Sequence, residues 1–141
     1  MKQLSPAQIV LMKKAGEITK SALLYAETLV KPGVTTNSLD NLISEYIINH
    51  GGKPCFKGYN GFPKATCISV NEVVVHGIPS QRKLKEGDIV SIDIGVEYKG
   101  FHGDAARTFP VGKISEEKQK LIDVTKQSFF EGIKFLKAGE K

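Results

Sequence analysis

The stretch that decides the fold is Ile89–Val111, IVSIDIGVEYKGFHGDAARTFPV. Residues 89–98 alternate and are rich in Val and Ile, a pattern that predicts a strand. Lys99-Gly100 supplies a two-residue turn, where glycine permits the positive φ that tight hairpins need. Residues 101–111 run back as a second strand. In that register Asp93 faces Ala106 and Asp104 faces Gly95. Side chains alternate with period 2, so Ser91, Asp93, Gly95 and Glu97 share a face with His102, Asp104 and Ala106. The two aspartates are then diagonal neighbours, roughly 7 Å apart at Cα. Their opposite numbers are Gly and Ala, which should leave space above them for a cation. Ile92, Ile94, Val96 and Tyr98 point the other way, into a core. A one-residue slip of the turn would destroy this arrangement.

Outward from the hairpin, 141 residues suit a single domain with a real core. No run approaches the ~20 apolar residues of a membrane span. The first residues, MKQLSPAQIVLMKKAG, lack the apolar core and cleavage site of a signal peptide. A cytoplasmic protein is the default expectation. Cys55 and Cys67 are too few for a disulfide framework and fit a reducing compartment. The net charge of +5 is spread over many lysines without an aromatic-and-basic stripe. It reads as solvated surface rather than a nucleic-acid site.

Ser5-Pro6-Ala7-Gln8 is a capping box with Pro at the first helical position. It predicts a helix to about Val30, with Leu11, Ala15, Ile18, Ala22, Tyr25 and Leu29 as its buried stripe. Pro32-Gly33 ends it. Thr36 or Asn37 should cap a second helix carrying Leu39, Leu42, Ile43, Tyr46 and Ile47 on one face, stopped by Gly51-Gly52. His50 falls at that helix end. The loop PCFKGYNGFP at 54–63 reads either as surface with Tyr59 and Phe62 tucked onto the core, or as a pocket wall. Residues 66–70 and 73–76 read as short strands turning at Asn71-Glu72, which sets Cys67 opposite His76. A histidine at a strand end before Gly77-Ile78-Pro79 is either a hydrogen-bonded structural residue or one that reaches a cleft. Ser115 should cap a third helix, with Glu116 and Glu117 in its first turn and Leu121, Ile122, Phe129, Ile133 and Leu136 as its apolar side.

Ser21–Gly33 resembles Gln127–Gly139: each is an amphipathic helix followed by a Lys-x-Gly stop. Similarity at a fixed offset can mean duplication. On that reading unit one spans about 1–113, and 114–141 is the first helix of a second unit. The chain would be the front of a larger protein.

Three readings compete for Asp93 and Asp104. They are metal ligands, since carboxylates suit Mg²⁺, Mn²⁺ and Ca²⁺ and, with histidine, Zn²⁺, Fe²⁺ or Co²⁺. Or they are an acid/base pair whose mutual repulsion raises one pKa. Or they are structural acceptors for loop amides. His76 and His102 are the nearby candidates to join them.

VNEVVVHGIP, followed by GDIVSIDIGVEYKGFHGDAARTF, resembles the type I methionine aminopeptidases, as do GYNGFPKATCIS and the helix ending LVKPGVTT. The resemblance implies an α+β fold, the N-terminal half of a pita-bread fold in which two related halves flank a dimetal centre. It implies that Asp93 and Asp104 are metal ligands, that His76 contacts substrate beside the scissile bond, and that Cys55, Tyr59, Phe62 and Cys67 line the methionine pocket. The family often carries Tyr at the position of Phe62. The implied cofactors are two divalent ions, Co, Mn, Fe, Zn or Ni. The implied reaction is metal-assisted hydrolysis that frees the initiator methionine. The substrates would be nascent polypeptide N-termini, met at the ribosome, with neither a membrane nor a specific nucleic acid involved. The family completes its site with a histidine and two glutamates from the second half. Residues 1–141 alone are therefore expected to hold no stable dimetal site, and to self-associate or require the other half. The rivals are a non-catalytic binding fragment of the same fold and a proline-specific relative, aminopeptidase P or prolidase.

Overall fold

The computed structural model describes residues 3–139. Residues 1–2 and 140–141, the extremities of the two expected units, lie outside the described residues. The first helix, α1, spans Pro6–Leu29. The Ser5 hydroxyl accepts from the Gln8 amide at 3.3 Å, and the Gln8 side chain accepts from the Ser5 amide at 2.8 Å, so the capping box is complete. The buried stripe is Ala15, Ile18, Thr19, Ala22, Leu23 and Ala26. Leu11, Tyr25 and Leu29 of the expected stripe are only half-buried. α2 spans Thr36–Asn49, and its cap is Thr35, one residue before the expected ones. Leu39, Ile43 and Ile47 are fully buried, while Leu42 is exposed.

A four-stranded antiparallel sheet follows: β1 (Lys53–Pro54), β2 (Thr66–Val70), β3 (Ile89–Tyr98) and β4 (Phe101–Pro110). β4 runs along one edge of β3 for its whole length, and β1 and β2 follow one another along the other edge. The hairpin register is the expected one, with Asp93 opposite Ala106 and Gly95 opposite Asp104. Lys99 and Gly100 take φ of 50° and 82°, the left-handed pair of a tight hairpin turn. The Ser91 and Thr108 hydroxyls, paired in this register, meet at 2.7 Å. Val90, Ile92, Ile94 and Val96 are fully buried and form one core with α1 and α2. Gly103, opposite Val96, lets α1 come close. A Cβ there would stand 2.6 Å from Thr19 Oγ1 and 2.7 Å from the Ala15 backbone. Both helices thus cover one face of the sheet, and the aspartates occupy the other.

One expected strand fails to form. Residues 73–76 form no strand. Val73 N–H closes a turn onto the Val70 carbonyl, Val74 and Val75 are exposed, and His76 takes φ of +57°. The cause lies at Gly77, whose backbone presses onto β2: an added Cβ would be 2.2 Å from the Ile68 carbonyl oxygen. There the Ile68 N–H donates to the Gly77 carbonyl at 2.8 Å, and the Ser69 hydroxyl takes the Gly77 N–H at 3.0 Å. A side chain thus replaces one rung of the expected ladder, and Cys67 has Asp93, not His76, as its cross-strand partner. The third helix, α3, spans Glu116–Ile133. Its Ser115 cap and acidic first turn form as expected. Yet no α3 residue is buried, Leu121 and Phe129 are exposed, and Leu136 lies past the helix end.

Candidate metal centre

One cleft of about 630 Å³ opens on the face of the sheet away from α1 and α2. Its lining brings together Asp93, Asp104, His76, Cys67, Tyr59 and Phe62, with Phe56 and Ile78. Of the sequence-derived candidates, Cys55, His102 and His50 are missing from this lining. Cys55 sits instead over Gly95, where an added Cβ would come within 2.6 Å of its Sγ and 2.3 Å of the Phe56 ring. The expected open space above Gly95 is therefore filled. The glycine is small because Cys55 and Phe56 pack on it, and the Cys55 N–H donates to its carbonyl at 3.0 Å. His102 faces Glu97 on the exposed rim and does not line the cleft. His50 is the C-cap of α2, stacked on Tyr46 at 4.0 Å, and stays on the helical side.

The loop wall carries its own turn bonds. Gly58 N–H donates to the Phe62 carbonyl at 2.8 Å and Tyr59 N–H to the Phe56 carbonyl at 3.0 Å. Left-handed φ values at Gly58, Asn60 and Gly61 make its tight reversal. Tyr59, 70% exposed, stands at the rim, and Phe62 is half-buried.

Asp93 is half-buried, and its Oδ1 is buried with no hydrogen-bond partner among the described residues. Burial pushes its pKa up to about 6, the negative charge of Asp104 adds to the rise, and His76 opposes it. Burial and then the charges of Asp93 and Asp104 push the Cys67 thiol up to about 11. The Cys55 thiol is raised by burial and then by Asp104. Both thiols are thus neutral, soft surfaces at neutral pH.

An orphaned buried carboxylate oxygen beside a second carboxylate is an unfavourable arrangement without a positive charge to satisfy it. Hard oxygen donors of this kind fit a divalent cation. The donor set is also small. Among the described residues no group of three or more His, Cys, Asp or Glu side chains stands together to hold a metal.

Known proteins share this fold. Residues 10–141 match metallopeptidase family M24, and the chain belongs to that family. A methionine aminopeptidase of Clostridium perfringens is 56% identical over 126 residues, which are 89% of this chain and 51% of that protein. The crystal structure of a methionine aminopeptidase from Thermotoga maritima superposes with a TM-score of 0.93 at 43% identity, over 97% of this chain and 55% of that one. The prolidase of Pyrococcus furiosus superposes at 0.76 with 21% identity, a likeness of fold alone. The chain spans about half the length of the bacterial relatives it matches. Its fold is α+β, the N-terminal half of the pita-bread architecture, as the hairpin and its motifs imply.

Sequence reasoning missed Asp40. It is 4% exposed on α2, and its Oδ1 accepts from the Ala65 amide at 3.1 Å and from the Thr66 amide and hydroxyl at 2.8 Å each. Those partners lie 25 and 26 residues away, so no local pattern marks them.

Proposed function

We propose that this chain supplies the first half of the active site of a metal-dependent methionine aminopeptidase, which hydrolytically removes the initiator methionine from nascent proteins. The observation that carries the reading is the meeting of Asp93, with its orphaned Oδ1, and Asp104, His76, Cys67 and the aromatic loop on one cleft. Asp93 and Asp104 would hold divalent metal, drawn from Co, Mn, Fe, Zn or Ni. When bound, the metal supplies Lewis-acid activation of water and of the scissile carbonyl. Tyr59, Phe62 and the neutral thiol of Cys67 form the wall for the methionine side chain, since thioether sulfur packs well on aromatic and sulfur surfaces. Cys55 supports that wall from beneath, through its contact with Gly95. His76, held out of the strand by its left-handed backbone, presents its imidazole to the substrate beside the scissile bond. The substrates are nascent N-termini at the ribosome, in the cytoplasm. No helix among the described residues is long and apolar enough to cross a membrane.

In this reading residues 1–113 are one αβ unit, and α3 opens a second whose side chains complete the ligand set. A second reading, a binding fragment without turnover, is favoured by the absence of a third metal-ligating side chain among the described residues. A fusion of this chain to the second half of the Clostridium relative separates the two. Loaded with Co²⁺ or Mn²⁺, the fusion should release methionine from Met-Ala-Ser, and Asp104→Asn should abolish the release. A folded fusion that binds the metals but leaves the peptide intact would sink the catalytic reading.

A further inference from the structure

The cleft has two walls, and one helical turn holds both. The first wall, residues 56–63, ends at Lys64-Ala65-Thr66. There Asp40 Oδ1 takes the Ala65 and Thr66 amides and the Thr66 hydroxyl, while Lys64 Nζ donates to Asn37 Oδ1. The second wall, His76 to Ile78, leads to Ser80. There Thr36 Oγ1 donates to the Ser80 carbonyl at 3.1 Å and accepts from the Ser80 N–H at 2.9 Å. The Asn37 N–H donates to the same carbonyl at 2.9 Å, and the Thr36 N–H to the Arg82 carbonyl at 3.0 Å. Thr36 and Asp40 are one helical turn apart on the same face of α2, and they are 2% and 4% exposed. Buried polar side chains with several short partners hold position far more firmly than packing alone, because each broken bond leaves a desolvated group behind.

The far ends of the walls are fixed to the sheet. Cys55 N–H bonds to Gly95 on β3, and Gly77 bonds to Ile68 and Ser69 on β2. The first wall thus runs from its β3 anchor into β2 where Asp40 holds the junction, and the second runs from its β2 anchor to Thr36 on α2. The two walls therefore meet at β2, which the first enters at Thr66 and the second bonds through Gly77, and the Thr36–Asp40 turn is their second connection.

We infer that Thr36 and Asp40 are positioning residues that set the spacing of the two cleft walls, and with it the length of the side chain the cleft admits. The inference rests on the reading of this cleft as a methionine pocket. Neither residue touches the reacting atoms; they act through Thr66 and Ser80.

Amide hydrogen exchange on the chain tests the clamp without any turnover. Asp40→Ala should raise exchange over residues 56–66 at least about tenfold and leave residues 76–82 protected. Asp40→Asn, which keeps the volume and one acceptor, should give a smaller rise in the same segment. Thr36→Val should loosen 76–84 and spare 56–66, and Thr36→Ser should restore protection. The β3–β4 amides should be unchanged in all four. Unchanged exchange in both walls overturns the inference, and so does a uniform rise that includes the hairpin. In the active fusion, Asp40→Ala should narrow the preference for methionine over ethionine in kcat/KM by about fivefold, mainly through KM. An unaltered preference also overturns it. A fusion inactive on methionine would count against the functional reading alone, because the exchange results stand apart from activity.

Discussion

Gly95 and Asp104 stand directly opposite each other across β3 and β4, and Cys55 and Phe56 lie over the glycine. The small residue opposite the aspartate therefore serves the pocket wall beside it, where the loop that carries Tyr59 and Phe62 begins. Gly95→Ala puts a methyl group 2.3 Å from the Phe56 ring and 2.6 Å from Cys55 Sγ. Relieving that overlap should cost about 1–3 kcal/mol, read as a lower urea midpoint at unchanged slope. An equally stable Gly95→Ala chain would show that the loop yields freely.

Asp93 makes a pH signature. In the metal-free chain its folded pKa, about 6, lies above the ~3.9 of an unfolded aspartate. Between those values the folded chain binds more protons than the unfolded one, so this residue's contribution to stability falls as pH rises from 4 to 6. Chemical denaturation across that range should show the wild type losing stability relative to Asp93→Asn, with no further divergence above pH 7. Saturating divalent metal should flatten the difference. A wild type and variant that run parallel over pH 4–6 would contradict the raised pKa.

Metal affinity follows from the donor count. With Asp93 and Asp104 as the paired carboxylates and no third partner among the described residues, polypeptide 1–141 should bind Co²⁺ or Mn²⁺ weakly. A Kd on the order of 10⁻⁴–10⁻³ M is the expectation for so few charged ligands. Calorimetric titration should give that range, Asp104→Asn should remove most of the signal, and Met-Ala-Ser should remain intact. Micromolar binding by the polypeptide alone would mean that other side chains complete the site.

The hairpin was legible in the sequence because a two-residue turn leaves no freedom of register. Once Lys99-Gly100 is placed, the pairing of Asp93 with Ala106 follows, and the alternation of Ile92, Ile94 and Val96 fixes which face is buried. The run Val73-Val74-Val75 misleads for the opposite reason. Its β-branched residues describe a propensity, whereas the path is decided by the Gly77 backbone pressing on Ile68 and by the Ser69 hydroxyl, contacts that a strand propensity does not encode. Asp40 escapes a sequence reading because it looks like an ordinary helix residue until its partners arrive from a distant segment, and Thr36 reads as a helix cap until Ser80 arrives beside it.

α3 is tethered rather than packed. None of its residues is buried, and Lys118 Nζ donates to the Gly87 carbonyl at 2.6 Å and to Asn71 Oδ1 at 3.5 Å. Isolated helices of this length are marginal in water. Lys118→Met should therefore raise amide exchange across 116–133 and lower helicity modestly, with a stability loss of about 1–2 kcal/mol. The core strands should keep their protection. If α3 stays protected in the variant, its placement depends on something other than this lysine.

Self-association is the outcome predicted from what α3 leaves uncovered. Leu121, Val124, Phe129, Phe130 and Ile133, with Phe135 and Leu136 beyond the helix end, are all exposed, and Phe129 and Phe130 contact each other edge-to-face at 5.5 Å. Soluble proteins rarely leave so many large apolar side chains of one segment in water. The net charge of +5 opposes association only over about a Debye length, roughly 8 Å at physiological salt. Sedimentation velocity on polypeptide 1–141 should therefore show concentration-dependent association that strengthens with added salt. Phe129→Glu combined with Leu136→Glu should return the chain to monomer without changing the hairpin amides. A wild type that sediments as a monomer at high micromolar concentration would show that this face is tolerated in water.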